Sequence, residues 1–339
     1  MNRDFGIYGK KQTPSLSTLR ALLLTLPAVL FCWVLEYHFS ANYPLHLTSS
    51  TPLWLRMTGW LPDRTSACLA GALLLFGMAA LLQRASDYLI IFRYRTLLPL
   101  LLFLLLNSAS FGFIPLRPAS VAVFFLAPCM IELFKGYQQE ETEGMAPGNA
   151  CKVTFWLGVG SLVWIHLLWL LPLFWYGMYH FRQLTLRAIM ASLLGIATVY
   201  WIVAGWCMWK HDFTELTDIV RLWTDFDVVP LREYLTLNRL ASPAAAFVYT
   251  VILGIVFQFH KHHVGLRTRQ LISFLLVSAR YLLPFLFLFE TETADFLCIF
   301  SLPVSLLMAY FFSGRSRSIL LYYGLFLVCS LLLLTVHYA

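Results

Sequence analysis

Charge is scarce in this sequence. Only 12% of its 339 residues are Asp, Glu, Lys or Arg, whereas soluble domains carry about 25%. With 60% hydrophobic residues, too little polar surface remains to cover a folded body in water. These values exclude an ordinary soluble enzyme and a disordered chain, and they indicate an integral membrane protein.

Several signatures of chemistry are also missing. The seven cysteines are spread singly, without the spacing of a zinc site or a redox pair, so we expect no metal site and no disulfide framework. The sequence has no phosphate-binding loop, no dinucleotide fingerprint and no HExxH or GxSxG motif, and this argues against nucleotide-driven pumps and intramembrane zinc proteases. We expect no cofactor.

Long apolar runs make up most of the chain. A membrane span needs roughly 20 mostly apolar residues. The runs that qualify are 19–38, 65–82, 96–116, 118–134, 188–209, 241–259, 271–289, 296–313 and 318–337.

A further run, Val153–Phe181, has no Asp, Glu, Lys or Arg. As a single helix it would be about 44 Å long, against a hydrocarbon core of about 30 Å. It also contains Gly158, Gly160 and Pro172. The run is therefore either one tilted helix or two short helices that form a hairpin.

The basic residues between the runs favour the hairpin. Basic segments mark cytoplasmic loops, and they occur before the first run, at 84–95, at 182–187, at 261–269 and at 315–317. These segments share one side only if Val153–Phe181 enters the membrane and returns. We predict an all-α polytopic transmembrane helix bundle of about 10–11 membrane helices, including one broken helix or short hairpin.

The bias of basic residues toward the cytoplasm also predicts the orientation of the chain in the membrane and the side on which its two longest loops lie. We expect a single integral membrane domain, residues 1–339, with a cytoplasmic amino terminus and an uncleaved first span. The first outer loop is 40–63. Segment 210–239 is also outer, and it contains apolar residues at helical spacing, typical of an amphipathic helix lying on the membrane surface. We expect membrane lipids as partners and no nucleic acid.

Arg280 is the most informative ionisable residue, because it lies near the middle of the run 271–289. A charge at that depth costs several kcal/mol unless it is paired or hydrated. Arg280 is therefore a candidate substrate-binding residue that faces a cavity and binds an anionic group such as a phosphate. The alternative is a structural role, through an ion pair with Glu132 or bonds to helix carbonyls.

Three further polar residues lie within the runs, and each has a structural alternative to substrate binding. Glu132 is three residues before Lys135, a spacing that favours an ion pair at the membrane interface. His166 lies among tryptophans, where a neutral imidazole bonded to a backbone carbonyl is the common outcome. Asn107 has the character of a residue that helps helices pack.

Other ionisable residues lie at the predicted outer side. Glu36 ends the first span and is a candidate general base or a solvated helix end. His211 and Glu215 share a helix face, with Asp212 and Asp218 nearby, and oxygen ligands in this arrangement are a candidate site for a divalent ion. The alternative is that these carboxylates only solvate the helix, and we favour it. The tract 260–263 lies instead at the predicted cytoplasmic side, where it indicates a cationic boundary near anionic lipid rather than a metal site.

The stretch from Arg93 to Trp209 carries a resemblance. It contains RYRTLLPLLLFLLLNSASFGF, a charged loop, the segment VTFWLGVGSLVWIHLLWLLPLFWYGMYHF and a basic turn. It resembles an uncharacterised family of bacterial polytopic inner-membrane proteins, and this resemblance implies the bacterial inner membrane as the location of the protein. More distantly, it is similar to the membrane core of GT-C-like glycosyltransferases that use lipid-phosphate-linked sugars. Those enzymes carry acidic catalytic residues in the first outer loop, a role that the resemblance gives here to Glu36 and Asp63, with Arg280 as a lipid-phosphate ligand.

These observations lead to one expected function and two alternatives. We expect a component of cell-envelope biogenesis that binds a polyprenyl-phosphate-linked substrate, with a minimal or degenerate glycosyltransferase as its catalytic form. The first alternative is a secondary transporter or flippase, because broken helices and buried charges occur there too. The second is a non-catalytic subunit that packs against a membrane protein partner.

Overall fold

A computed structural model describes most of the chain. The described residues are 18–39, 51–59, 63–89, 92, 96–109, 116–138, 145–211, 213–224, 237–260, 265–289, 293–313, 323, 326 and 329. Most of the outer loop 40–63, parts of 210–239 and nearly all of the predicted span 318–337 fall outside them.

The described residues form α-helices, with one 3₁₀ helix and no strand among them. The helices are α1 (Thr18–Phe39), α2 (Pro52–Thr58), α3 (Arg64–Tyr88), α4 (Leu98–Ala109), α5 (Pro118–Gln138), α6 (Met145–Ser161), a 3₁₀ helix (Ile165–Leu170), α7 (Leu171–His180), α8 (Leu186–Lys210), α9 (Thr214–Thr224), α10 (Leu237–His260), α11 (Leu266–Leu288) and α12 (Thr293–Phe312). The predicted all-α helix bundle is confirmed.

Five of these helices are long and apolar enough to cross a membrane, namely α3, α5, α8, α11 and α12. Shorter apolar helices lie within α1, α4 and α10. Helix α12 is buried over 89% of its apolar window and α8 over 22%. Helix α12 therefore forms the centre of the bundle, whereas α8 lies at its edge and exposes apolar side chains, as expected where lipid is the solvent.

The run Val153–Phe181 is a hairpin. Gly195 lies against Thr154, and Gly158 lies against Val199, so positions along α6 and α8 advance together and the two helices run parallel. Two parallel helices need a segment that returns between them, and the 3₁₀ helix with α7 supplies it. By helical rise, α6 is about 25 Å long and the returning segment about 27 Å, each close to the thickness of a hydrocarbon core.

The hairpin returns the chain to the end of α5. Phe181 packs against Phe134 with ring centroids 5.8 Å apart, and Gln183 lies against Gly136. Arg182 therefore lies at the same end of the bundle as the carboxyl end of α5. Several cations of the described residues share this end, which we call the basic end: Lys135, Lys152, Arg182, Arg187 and Arg267.

The opposite end carries α2 and α9, and we call it the α2–α9 end. The Thr51 hydroxyl donates a hydrogen bond of 2.9 Å to the Val163 carbonyl, and the buried Trp54 packs against Val121 and Val163. Helix α9 contacts α2, α8 and the 3₁₀ helix. The outer loop and the amphipathic segment, predicted to share one side, thus lie together in the parts that the structure describes.

Candidate functional site

The break between α6 and the 3₁₀ helix forms the floor of the α2–α9 end. Helix α6 ends at Ser161, and the amides of Val163 and Trp164 then both donate to the Gly160 carbonyl. The Ser161 hydroxyl lies 2.9 Å from the Tyr200 hydroxyl. This turn reverses the chain inside the bundle, where its polar backbone must be covered by protein. Helix α2 supplies part of that cover.

His166 lies in the 3₁₀ helix and is buried among aromatic rings. Its ring centroid is 4.7 Å from that of Trp169 and 5.5 Å from that of Trp164. Phe296 packs against both tryptophans, and Trp169 also stacks on Phe285. These contacts join the 3₁₀ helix to α11 and α12, so His166 belongs to a packed aromatic cluster.

Asp295, which the sequence analysis did not select, adjoins this cluster. It is buried in the first turn of α12, with 1% of its surface exposed, and it precedes Phe296. A carboxylate in the first turn is stabilised by the helix dipole. The signal was available in the sequence, because an acidic residue shortly before a long apolar run marks a helix start.

Asn107 joins two helices in the core. Its side-chain amide donates to the Ser301 hydroxyl at 2.9 Å, and that hydroxyl lies 3.1 Å from Asn107 Oδ1. Both side chains are fully buried. The contact joins α4 to α12 and satisfies polar atoms that would otherwise be exposed to an apolar environment. The structure thus places Asn107 in a packing contact.

Glu132 pairs with Lys135. The Lys135 ammonium lies 2.7 Å from Glu132 Oε1 and 5.5 Å from the centre of the Tyr88 ring. This pair lies at the basic end, one helical turn apart on α5. The ion pair between Glu132 and Arg280 that we considered from the sequence is therefore replaced by a local pair.

The two acidic candidates from the outer loop lie near the α2–α9 end. Asp63 is exposed at the amino-terminal boundary of α3. The Glu36 backbone lies in the last turn of α1, and its side chain is outside the described part of the chain. Among the residues that the structure describes, no three His, Cys, Asp or Glu side chains form a metal-binding group.

Arg280 lies on α11 and faces α10. The guanidinium lies next to Gly254 on α10. If residue 254 had a Cβ atom, that atom would lie 3.0 Å from Arg280 Nη2. The side chain is exposed, and no described carboxylate or carbonyl pairs with it. By helical rise Arg280 is about 21 Å from the start of α11 at Leu266 and about 12 Å from its end at Leu288. It is therefore deep within a membrane-length helix.

The expectation that Arg280 faces a cavity stays a prediction. Two small gaps occur in the packing of the described residues, one between α5, α7, α11 and α12 and one between α3, α5 and α12. Both are lined by apolar side chains with one serine each, and Arg280 lines neither. The guanidinium lies beside Gly254 where α10 packs against α11, and the side chain is exposed; we call this place the groove between α10 and α11.

The candidate residues thus form separate groups. Tyr281 donates a hydrogen bond of 2.7 Å from its hydroxyl to the Trp169 carbonyl, so this part of α11 faces the aromatic cluster while the neighbouring Arg280 faces α10. His166 and Asp295 belong to the α2–α9 end, and Glu132 belongs to the basic end.

No known protein family, curated protein or solved structure matches the chain.

Proposed function

We propose that this membrane protein acts in cell-envelope biogenesis at the bacterial inner membrane and binds a lipid-linked substrate through its phosphate. The observation that carries the proposal is the exposed Arg280 guanidinium, deep in α11, for which the described residues provide no acidic partner. An uncompensated arginine at the centre of a span costs about 2.5–3.5 kcal/mol on insertion scales. A lipid phosphate offsets this cost, because guanidinium and phosphate form paired charge-assisted hydrogen bonds.

The position of Arg280 along α11 favours substrate from one leaflet. Helix α11 begins at the basic end, where the Arg267 guanidinium donates to the Leu89 carbonyl at 2.8 Å, and runs toward the α2–α9 end. Arg280 is closer to the latter. With the basic end in the cytoplasm, as the distribution of basic residues predicts, the substrate phosphate lies in the outer half of the membrane.

The catalytic form of this proposal is a minimal or degenerate glycosyltransferase. It requires a general base near the α2–α9 end, and Glu36 and Asp63 are the candidates. Replacing either with alanine should abolish transfer of sugar from a polyprenyl-phosphate donor while leaving lipid binding unchanged. Transfer at the wild-type rate in both variants would remove Glu36 and Asp63 from the reaction.

The first test is a lipid inventory of the gently purified protein by native mass spectrometry. We expect the wild type to retain a polyprenyl-phosphate species and Arg280→Ala to lose it. Arg187→Ala is the matched control, because it removes an exposed arginine at the start of α8 without touching the groove. If all three samples retain only bulk phospholipid, the proposal is wrong.

A second candidate function is a secondary transporter or flippase. The break at the end of α6, with the 3₁₀ helix that follows, favours it, because interrupted helices line substrate sites in such proteins. Transport of a labelled substrate into proteoliposomes that survives Glu36→Ala and Asp63→Ala would favour this function over sugar transfer. A non-catalytic subunit would instead co-purify with a membrane protein partner.

A further inference from the structure

The groove between α10 and α11 has a floor made by a glycine. Gly254 lies on α10 directly opposite the Arg280 guanidinium, and Leu276 on α11 lies beside it. A Cβ atom at position 254 would approach Arg280 Nη2 to 3.0 Å, closer than carbon and nitrogen atoms normally come. The missing side chain therefore lets the guanidinium come close to the α10 backbone while the Arg280 side chain stays exposed.

The exposed side chains of α10 and α11 near this groove are mostly apolar, with Gln258 as an exposed polar side chain one turn after Gly254. Helix α10 exposes a band of large apolar side chains, namely Phe247, Val248, Val251, Ile252, Ile255 and Phe259. On α11, Pro284 and Leu288 follow Arg280 on the same exposed stripe, at spacings of four residues. A cation thus lies within a surface that is otherwise suited to hydrocarbon chains.

The Arg280 guanidinium and the apolar side chains around it favour one kind of phosphate-bearing ligand over free phosphate. Free phosphate would have to leave water and reach the Arg280 guanidinium, about 12 Å from the end of α11. A lipid brings its own hydrocarbon, which can lie along the exposed band of α10 and enter the groove sideways. Its phosphate must then move below the usual headgroup level to meet the guanidinium.

We propose that Gly254 is a positioning residue for Arg280 and that the groove selects a phosphate joined to a long hydrocarbon chain. This inference rests on the proposed function, because it assumes that Arg280 binds a lipid phosphate. It adds that the binding depends on the space above Gly254 and that the chain contributes to the affinity. A side chain at position 254 pushes the guanidinium off the α10 backbone and blocks the phosphate.

The test is a binding titration of the full chain in detergent by native mass spectrometry, with a polyprenyl monophosphate as the probe. The variants are Gly254→Leu, Arg280→Ala and Gly205→Leu. Gly205 is the matched control, because it is an exposed glycine within α8 with no atom within 4 Å of a Cβ placed there. We expect Gly254→Leu and Arg280→Ala each to weaken binding by about tenfold or more, the size of one charge-assisted hydrogen bond. Gly205→Leu should bind as the wild type does.

Two further ligands test the role of the chain. The uncharged polyprenol, which has the same hydrocarbon without the phosphate, should bind at least about tenfold more weakly than the phosphate to the wild type. Inorganic phosphate in large excess should not displace the polyprenyl monophosphate. Displacement by inorganic phosphate would show that the groove recognises the anion alone and would overturn the selection of a long chain.

The outcomes separate this inference from the proposed function. If the wild type and Arg280→Ala bind the polyprenyl monophosphate equally, the proposed function fails, and the inference fails with it. If Arg280→Ala loses binding while Gly254→Leu retains it, the proposed function stands and the role of Gly254 is wrong. A melting temperature for each variant, compared with that of Gly205→Leu, shows whether a loss of binding reflects a loss of fold.

Discussion

At the scale of single residues, the buried contact between Asn107 and Ser301 offers the clearest test of packing. The two side chains exchange hydrogen bonds between α4 and α12, far apart in sequence. Hydrogen bonds between membrane helices contribute about 0.6 kcal/mol on average and at most about 1.7 kcal/mol in measured cycles. We expect a coupling free energy near 1 kcal/mol between Asn107→Ala and Ser301→Ala in a double-mutant cycle of unfolding.

The control for this cycle is on the same helix. Ser305 is also fully buried, but its hydroxyl donates only to the Leu302 carbonyl one turn earlier. Asn107→Ala and Ser305→Ala should therefore have additive effects on the free energy of unfolding. Additivity of Asn107→Ala with Ser301→Ala would mean that the contact between α4 and α12 contributes nothing specific.

The sequence predicted the chemistry of some residues better than their surroundings. The spacing of Glu132 and Lys135 predicted an ion pair, and the structure confirms it at 2.7 Å. The depth of Arg280 in its span was also evident, but its exposure in a groove was not, because the neighbour that creates the groove is Gly254 on another helix. A glycine within an apolar run gives no signal of which side chain lies over it.

At the scale of helices, glycine determines how α6 packs against α8. Gly195 faces Thr154 and the Cys151 carbonyl, and a Cβ atom there would overlap both. Overpacking of this kind typically costs 1–3 kcal/mol. We expect Gly195→Ala to lower the free energy of unfolding by about that amount, measured by thermal or denaturant unfolding in detergent.

The matched substitution is Gly77→Ala on α3. This glycine is exposed within the helix, and no atom lies within 4 Å of a Cβ placed there. Alanine is favoured over glycine in a helix by about 1 kcal/mol, so this variant should be slightly more stable than the wild type. Equal effects of the two substitutions would contradict the tight packing of α6 on α8.

The boundaries of the hairpin show what the apolar pattern could not predict. The sequence showed Gly158, Gly160 and Pro172 within the run but did not locate the break, and the structure places both glycines inside α6, which continues to Ser161. Their role is close packing, since a Cβ at Gly160 would overlap the Leu167 side chain and one at Gly158 would crowd Val199. Helix α6 also begins at Met145, so its first two turns precede the apolar run that starts at Val153.

At the scale of the whole molecule, the charge bias and the helix packing agree. The bias of basic residues predicted that 182–187 and 261–269 lie on the same side of the membrane. In the structure, the hairpin brings Arg182 to the basic end, and the contact of Arg267 with the Leu89 carbonyl brings the start of α11 to the same end. Apolar runs alone could not decide this, because the length of Val153–Phe181 fits one tilted helix or two short ones. Distant contacts such as Asn107 with Ser301 had no signal in a single sequence.

The sidedness of the membrane protein can be measured by labelling introduced cysteines in intact cells with an impermeant thiol reagent. The background carries Cys151→Ser and Cys329→Ser, because these are the two cysteines that are not buried. We expect Asp63→Cys and Thr217→Cys to react in intact cells, since both positions are exposed at the α2–α9 end. Arg187→Cys and Arg269→Cys, near the basic end, should react only after the cells are permeabilised.

Each outcome bears on the arrangement of the whole bundle. If Val153–Phe181 crossed the membrane once, Arg187→Cys and Lys152→Cys would lie on opposite sides, so reaction of only one of them in intact cells would contradict the hairpin. The opposite pattern would have Arg187→Cys and Arg269→Cys react in intact cells, and Asp63→Cys and Thr217→Cys react only after permeabilisation. The bundle would then keep its fold, but the basic end would face outward. The Arg280 groove would then open toward the cytoplasmic leaflet, and a lipid-linked substrate would have to bind before it crosses the membrane.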